Sequence, residues 1–268
     1  MMRIVPTLHG WLWIRDAIRI FAKKPILWML LVMLYWLALS LVSLIPLLGI
    51  IVGLMAIPAF SASFMTAARE IEQGRTPGPQ ILASGFQPNR RSMVSLGGLY
   101  FAGCAAVLAI TSFFDDGALL NALRGRQASA EIDRSVAIAS ICYAPVMLAF
   151  WFAPTLVAWN NQSAGKALFF SFVAASRNWR AMLFYGVMLA AMAVLDAAIM
   201  VMSVRVFGSG MVEGGAAKRD GKVAALGLFM TPVILAASAI LFASWYASFR
   251  DVFSTGAEPP AAAPRPEP

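Results

Sequence analysis

The chain has 268 residues, of which 60% are hydrophobic and only 13% are charged, against about a quarter charged in ordinary soluble domains. This composition excludes an ordinary soluble fold. The net charge of +8 would suit a nucleic-acid-binding protein, but the basic residues occur in short clusters beside apolar runs. We therefore expect no nucleic acid as a partner.

Residues 1–24 form the first predicted element, an amphipathic segment that precedes the membrane-spanning part. Its apolar side chains recur at helical spacing, with charged side chains between them. This pattern is typical of a helix that lies in the membrane interface. The aromatic residues expected at the level of the lipid head groups are Trp11, Trp13 and Trp28.

The next 44 residues, 25–68, contain no charged side chain, which is enough for two membrane crossings. Four more apolar stretches follow. The sequence thus predicts an all-α polytopic transmembrane bundle over residues 25–250, with six spanning helices. Their predicted limits are about 26–44, 48–67, 92–114, 135–159, 181–204 and 224–248.

The connections between these helices differ in character. After the fourth helix, Ser163 is a candidate helix cap. The phenylalanines that follow it lie between basic residues, so residues 160–180 are predicted to contain a second interfacial helix. Residues 205–222 form a Gly-rich charged loop, and residues 251–268 form a disordered Pro/Ala-rich tail. Pro145 and Pro154 predict bends in the fourth helix.

The distribution of basic residues predicts the orientation. With the N-terminus inside, the inner segments carry 14 of the 21 basic residues and the outer segments carry 7. This bias follows the positive-inside rule and places both termini in the cytoplasm.

Asp196 is the only ionisable residue clearly inside a predicted span. Such a residue is costly to insert, by about 2.5–3.5 kcal/mol. One interpretation is functional: a proton or ion relay, or a substrate contact. The other is a carboxyl near the outer interface that bonds to a neighbouring helix. Because no basic residue is predicted at membrane depth to pair with it, the sequence favours the second.

Enzyme chemistry has little support in the sequence. The single histidine, His9, lies in the interfacial segment, and the two cysteines, Cys104 and Cys142, lie inside apolar runs. Neither a zinc site nor a Ser-His-Asp set can be assembled from these residues. We therefore expect no catalytic residues, no cofactor and no metal site.

Four arginines are the candidate contacts for anionic lipid head groups. Arg90, Arg91, Arg177 and Arg180 lie where inner connections enter the next outward helix. A basic residue near a charged membrane surface contributes about 1 kcal/mol. The alternative is that these arginines only determine topology.

Several short motifs resemble a family of uncharacterised inner-membrane proteins of Gram-negative (proteobacterial) species. They are Arg3-Ile4-Val5-Pro6, Gly10-Trp11-x-Trp13, Phe21, Pro25, Trp28, the Pro46–Gly49 turn and Gly85-Phe86. The chain is more distantly similar to YciC-like proteins and to the membrane domain of glycerophosphodiester phosphodiesterases. The resemblance implies six helices in the cytoplasmic membrane and implies no catalytic residues.

The predicted function is that of a non-enzymatic envelope scaffold or lipid-associated helper in the bacterial inner membrane. The expected partners are membrane lipids and either another membrane protein or a second copy of the chain. The alternative is a component of a small-solute or lipid transporter, using the Pro-bent helices and Asp196.

Overall fold

The computed structural model describes residues 2–123, 132–208 and 216–253, and within these ranges the regular structure is helical. The α-helices are α1 (His9–Lys23), α2 (Pro25–Ser43), α3 (Leu48–Glu72), α4 (Arg90–Phe114), α5 (Ala118–Leu123), α6 (Ile132–Phe150), α7 (Ala153–Asn160), α8 (Ala164–Arg177), α9 (Trp179–Gly208) and α10 (Ala216–Phe253). A 3-10 helix, Pro79–Phe86, lies between α3 and α4.

Five helical stretches in the described ranges are long and apolar enough to cross a membrane. They are Pro25–Ser43, Leu48–Glu72, Arg90–Phe114, Arg134–Asn160 and Met230–Phe253. A sixth is obtained from α8 together with the first half of α9, which meet at 82°. The all-α polytopic bundle predicted from the sequence is confirmed.

Helices α9 and α10 extend beyond their predicted limits. Helix α9 continues to Gly208 and α10 begins at Ala216, so both take in residues from the predicted 205–222 loop, of which 209–215 lie outside the described residues. At its other end α10 includes Asp251–Phe253, which the sequence had placed in the tail. The rest of that predicted tail, residues 254–268, also lies outside the described residues.

One end of the bundle, which we call the charged end, brings together the segments predicted to face the inside. Lys23 Nζ donates to the Glu72 carbonyl at 2.8 Å, which joins α1 to the end of α3. Asn89 Nδ2 donates to the Gln162 carbonyl at 3.0 Å, which joins the start of α4 to the α7–α8 connection. Residues 1–24, 69–91, 160–180 and 249–253 are therefore neighbours.

Helix α1 packs against α9 and α10 with the apolar face that the sequence had assigned to the membrane interface. Trp13, Ile14, Ala17 and Ile20 are buried on this face. Trp11 remains exposed as predicted, but Trp13 and Trp28 are buried in the bundle. Apolar residues at helical spacing can face either lipid or a protein core. In α1 most of them face the core.

Gly10 allows the close approach of α1 to α9. A Cβ atom at this position would lie 2.5 Å from the Ala181 carbonyl oxygen and 2.7 Å from the Tyr185 nitrogen. Small residues at helix contacts let backbones approach, and this is a main source of packing energy between helices in membranes.

Two buried serines tie the shorter segments of the charged end to the spanning helices. Ser63 Oγ donates to Leu82 O at 2.8 Å and accepts from the Gly85 N–H, which joins α3 to the 3-10 helix. Ser171 Oγ, on α8, accepts from the Phe152 N–H at 2.9 Å and donates to Leu148 O at 3.1 Å. Phe152 lies in the break between α6 and α7, so Ser171 satisfies backbone groups that the break frees.

Candidate functional site

A partly open cavity of about 260 Å³ lies inside the bundle. Residues of α3, α4, α6, α7, α9 and α10 line it, together with Trp151 from the α6–α7 break. Among the described residues, this lining is almost entirely apolar and includes no Lys, Arg, His, Asp or Glu. A site of this kind accepts an uncharged, mainly hydrocarbon molecule.

The depth of the cavity follows from helix geometry. Ser61 lies 11 residues before the end of α3, Tyr100 lies 10 residues after the start of α4, and Leu189 lies 10 residues after the start of α9. At about 1.5 Å per residue, these positions are roughly 15 Å from the charged end. The cavity is therefore near the middle of a hydrocarbon core about 30 Å thick.

A break in one spanning helix forms part of the cavity wall. Helix α6 ends at Phe150 and α7 begins at Ala153, and Phe150, Trp151 and Pro154 all line the cavity. Of the two predicted bends, the one at Pro154 coincides with this break, whereas Pro145 lies within α6. Irregular backbone at membrane depth is tolerated where it is buried in protein or lines a cavity.

Two tyrosine hydroxyls supply most of the polarity of the cavity. Tyr100 Oη and Tyr143 Oη are 2.7 Å apart, which joins α4 to α6. Each hydroxyl carries one proton, and the bond between them uses one of the two. The second proton can bond to the sulfur of Cys104, one turn further along α4, or to an acceptor in the cavity.

Ser61 and Trp245 also line the cavity. Ser61 is 9% exposed, and its hydroxyl has no hydrogen-bond partner among the described residues. The indole Nε1 of Trp245 is buried and likewise without a partner there. Since buried polar groups in folded proteins are nearly always bonded, the unpaired indole N–H of Trp245 requires an explanation.

A cluster of charged and polar side chains, the charged cluster, joins both ends of the chain and was missed by the sequence reasoning. Its members are Arg3, His9, Trp13, Asp16, Glu72, Tyr246, Arg250 and Asp251. The pairs within it are separated by up to 248 residues. Charge spacing along the sequence gives no signal for contacts of this range.

Asp251 is the centre of the charged cluster. Its carboxylate accepts hydrogen bonds from Arg3 at 2.5 Å, from His9 Nδ1 at 2.7 Å and from Trp13 Nε1 at 2.9 Å. The predicted interfacial side chain of His9 is therefore mostly buried and bonded to Asp251. These three bonds hold the N-terminal segment and α1 against the last turn of α10.

Asn178 fastens the first residues of the chain to the α8–α9 connection. Its side chain accepts from the Val5 N–H at 2.8 Å and donates to the Arg3 carbonyl at 3.1 Å. The Arg3 N–H in turn donates to the Val252 carbonyl at 2.9 Å. The chain before α1 is thus bound along its backbone on two sides.

The four predicted head-group arginines lie as two pairs at opposite ends of α8. Arg90 and Arg91 begin α4 beside the start of α8, and Arg177 and Arg180 lie on either side of the α8–α9 connection. All four are exposed, and none forms an ion pair with a described residue. Helix α8 has 14 residues, so the two pairs are roughly 20 Å apart.

The outward face of α8 between the arginine pairs is aromatic. Phe169, Phe170 and Phe172 are exposed on it, whereas the opposite face is made of small buried residues such as Ala167, Ser171 and Ala174. We call the exposed phenylalanines and the four flanking arginines the α8 surface. Aromatic and basic side chains in this combination are typical of a helix in the membrane interface.

The remaining predicted site residues have less definite surroundings. Asp196 lies in α9, but its side chain is outside the described part of the structure. Asp115, from the acidic pair after α4, caps α5 by accepting hydrogen bonds from the Leu119 and Gly117 N–H groups. These bonds, that of Leu119 first, lower the pKa of the Asp115 carboxyl. Its role in the described structure is that of a helix cap.

The fold, the apolar spans and the intramembrane cavity define the class: this is a multi-pass α-helical membrane protein. The chain is 34% identical over 259 residues to a probable inner membrane protein of Burkholderia thailandensis. The match covers 91% of this chain and 90% of the relative. The chain belongs to the family of that inner-membrane protein.

No protein-family model and no solved structure matches the chain significantly. The predicted resemblance to proteobacterial inner-membrane proteins is supported by the relative. The more distant likeness to YciC-like proteins and to phosphodiesterase membrane domains is not supported by it.

Proposed function

We propose that this inner-membrane protein is a non-enzymatic, lipid-associated helper that holds anionic lipid head groups at the α8 surface. The observation that carries the proposal is the composition of that surface: exposed phenylalanines with a pair of exposed, unneutralised arginines at each end. Phenylalanine side chains enter the acyl region while guanidinium groups bind phosphate oxygens, so one helix engages both parts of a lipid.

The charges at the α8 surface contrast with those of α1. Arg15 and Arg19 are exposed on α1, and both pair with Asp16. The arginines of the α8 surface have no acidic neighbour of this kind within the described residues. Their attraction for an anionic head group is therefore not offset, at about 1 kcal/mol for each basic residue near the surface.

The proposal includes an orientation, with the charged end and both termini on the cytoplasmic side. The excess of basic residues in the segments that meet at that end supports it. The cytoplasmic leaflet of a bacterial membrane is rich in anionic lipid, so the α8 surface would meet its ligand there. As a scaffold the protein would act together with another envelope component or with a second copy of itself.

Native mass spectrometry of the purified full-length protein, titrated with phosphatidylglycerol and with phosphatidylethanolamine, tests the proposal. We expect Arg90→Ala/Arg91→Ala/Arg177→Ala/Arg180→Ala to lower the affinity for phosphatidylglycerol at least tenfold, since about 1 kcal/mol is lost for each arginine. Binding of phosphatidylethanolamine should change little.

The matched control is Arg15→Ala/Arg19→Ala, which removes exposed arginines from α1 at the same end of the bundle. It should leave the phosphatidylglycerol affinity within about twofold of the wild type. The control removes two charges and the first variant removes four, so a loss of binding free energy about half as large in the control would show that only total charge matters and would reject a site at α8.

A second candidate function, a lipid or small-solute transporter component, is favoured by the cavity beside the α6–α7 break. Many transporters bind their substrates near the bilayer midplane at discontinuous helices. Uptake of a defined solute by reconstituted vesicles, lost in Asp196→Asn, would support this function. An unchanged rate would leave Asp196 without a transport role.

A further inference from the structure

We infer that the cavity beside the α6–α7 break binds an uncharged, hydrocarbon-rich molecule that carries a carbonyl oxygen. This inference stands on the cavity alone and does not depend on lipid binding at the α8 surface. Its evidence is the size of the cavity, the chemistry of its walls and the unused hydrogen-bonding capacity of its polar groups.

The size of the cavity and its apolar walls favour an apolar chain as the ligand. A volume of about 260 Å³ is slightly below the usual range of small-molecule pockets, about 300–1,000 Å³. It therefore suits one segment of a ligand whose remainder extends through the open side. Side chains such as Met147, Leu189 and Leu241 line it. No charged side chain lines it in the described part of the chain, so a charged group would have no partner there.

The polar groups of the cavity favour a ligand that carries a hydrogen-bond acceptor. Trp245 Nε1 can only donate a hydrogen bond and has no partner among the described residues. The Tyr100–Tyr143 pair has one proton beyond the bond that joins the two hydroxyls, and a ligand would compete for it with the Cys104 sulfur, a weak acceptor. The Ser61 hydroxyl, without a partner in the described structure, can also donate. Donors in excess at an apolar surface favour a ligand with carbonyl oxygens over one with hydroxyl or amine groups.

The position of the cavity explains why a membrane component would reach it. It lies about halfway across the bilayer, where Tyr100, Ser61 and Leu189 are roughly 15 Å from the charged end. Two kinds of membrane molecule carry a carbonyl on a long apolar chain: a lipid ester, which would have to bring its carbonyl about 15 Å inward from the interface, and a quinone ring with its prenyl tail. The shared feature is a carbonyl attached to a long apolar chain.

Photo-crosslinking in nanodiscs that contain the full-length protein tests this site. The probe is a monoacylglycerol with a diazirine in its acyl chain, and the labelled residues are mapped by peptide mass spectrometry. We expect labels on Leu189 and Leu241, and at least a fivefold loss of these labels in Ser61→Phe, which fills the cavity. Labels confined to lipid-facing residues, or unaffected by Ser61→Phe, would overturn the inference.

The matched control for Ser61→Phe is Ser140→Phe. Ser140 lies on the exposed face of α6, where its hydroxyl donates to the Val136 carbonyl, so a phenylalanine there meets lipid. In this variant the probe should label the cavity residues to the same extent as in the wild type. Loss of the cavity labels in both variants would mean that bulk on the helices, and not the cavity, controls labelling.

The carbonyl requirement is tested with variants that keep the cavity shape. Tyr100→Phe/Tyr143→Phe removes both hydroxyls, and we expect it to reduce labelling by the ester probe about tenfold. Labelling by a diazirine alkane of the same length should not change. An equal response to the two probes would overturn the acceptor part of the inference.

Competition identifies the source of the carbonyl. Excess unlabelled monoacylglycerol should displace the probe if the site takes lipid esters, and a decyl-substituted benzoquinone should displace it if the site takes quinones. Displacement by either supports the inference and assigns the source. Failure of both competitors would overturn it.

Discussion

The charged end and the cavity side of the bundle are stabilised by different contacts. At the charged end, α1, α3 and α10 share buried aromatic residues and the charged cluster. In the most apolar 18-residue stretch of each spanning helix, 44% of the residues of α10 and 39% of those of α3 are buried. The corresponding shares are 17% in α4 and 11% in α6 with α7, which form much of the cavity wall. Dense packing and loose packing thus coexist in one chain.

This contrast separates the parts of the protein that fix its structure from those available for a ligand. Asp251 alone joins three residues of the N-terminal segment to α10. On the cavity side, the polar links between helices are single bonds between neutral groups, such as the Tyr100–Tyr143 bond, the Ser171 bridge and the bond from Trp151 to Ser248. Regions with fewer buried contacts open at a lower free energy, and binding sites are usually drawn from them.

The largest expected effect is at the centre of the charged cluster. Asp251→Ala leaves the buried donors of His9 and Trp13 and the charge of Arg3 without their acceptor. We expect the free energy of unfolding to fall by about 3 kcal/mol. Unfolding by dodecyl sulfate, followed by circular dichroism in mild detergent, measures it. Lys166→Ala, on the exposed side of α8, is the control and should change it by less than about 0.5 kcal/mol.

An intermediate effect is expected where the two regions meet. Ser171→Ala removes the hydroxyl that bonds the Phe152 N–H and the Leu148 carbonyl, so both groups are left unsatisfied in the helix break. The free energy of unfolding should fall by about 2 kcal/mol. Amide exchange at residues 151–153 should also become faster.

The comparison for Ser171→Ala is Ser140→Ala, whose hydroxyl is exposed and bonds only to the carbonyl four residues earlier in α6. We expect neither lower stability nor faster exchange in that variant. If Ser171→Ala also left the exchange of residues 151–153 unchanged, the break would be stable without the bridge.

The smallest effect is expected at the end of the bundle opposite the charged end. The pKa of Asp115 is lowered by hydrogen bonds from backbone N–H groups at the start of α5. The stability that this ionised cap contributes is complete above the unfolded pKa near 4 and is lost as pH falls through the lower folded pKa. The stability difference between wild type and Asp115→Ala, measured from pH 6 to pH 3, should therefore shrink with acid. A constant difference would exclude the ionised cap.

The spanning helices could be predicted because a bilayer requires long charge-free runs, and residues 25–68 satisfy this requirement without any tertiary information. Helix α8 could also be predicted from the sequence, since Ser163 at its start and the phenylalanines that lie between basic residues are local signals. Pro154 marked the α6–α7 break in the same way. Each of these features is encoded within one turn or one helix.

The charged cluster and the cavity could not be predicted, because each depends on contacts between distant segments. His9 and Asp251 are 242 residues apart, and Tyr100 and Tyr143 belong to different helices. For Trp13 and Trp28 the pattern was correct, but it could not distinguish a lipid surface from a protein core. The positions of the four arginines were known, whereas their separation by α8 was not.

The contact between the first residues and the last turn of α10 also sets an order of assembly during biosynthesis. Arg3 emerges from the ribosome at the beginning, but its partners Asp251 and Val252 are added some 250 residues later. At about 5–20 residues per second, this interval is on the order of tens of seconds. During that time the apolar side of α1 faces solvent or lipid. Helix α1 can complete its contacts only after α10 has been made.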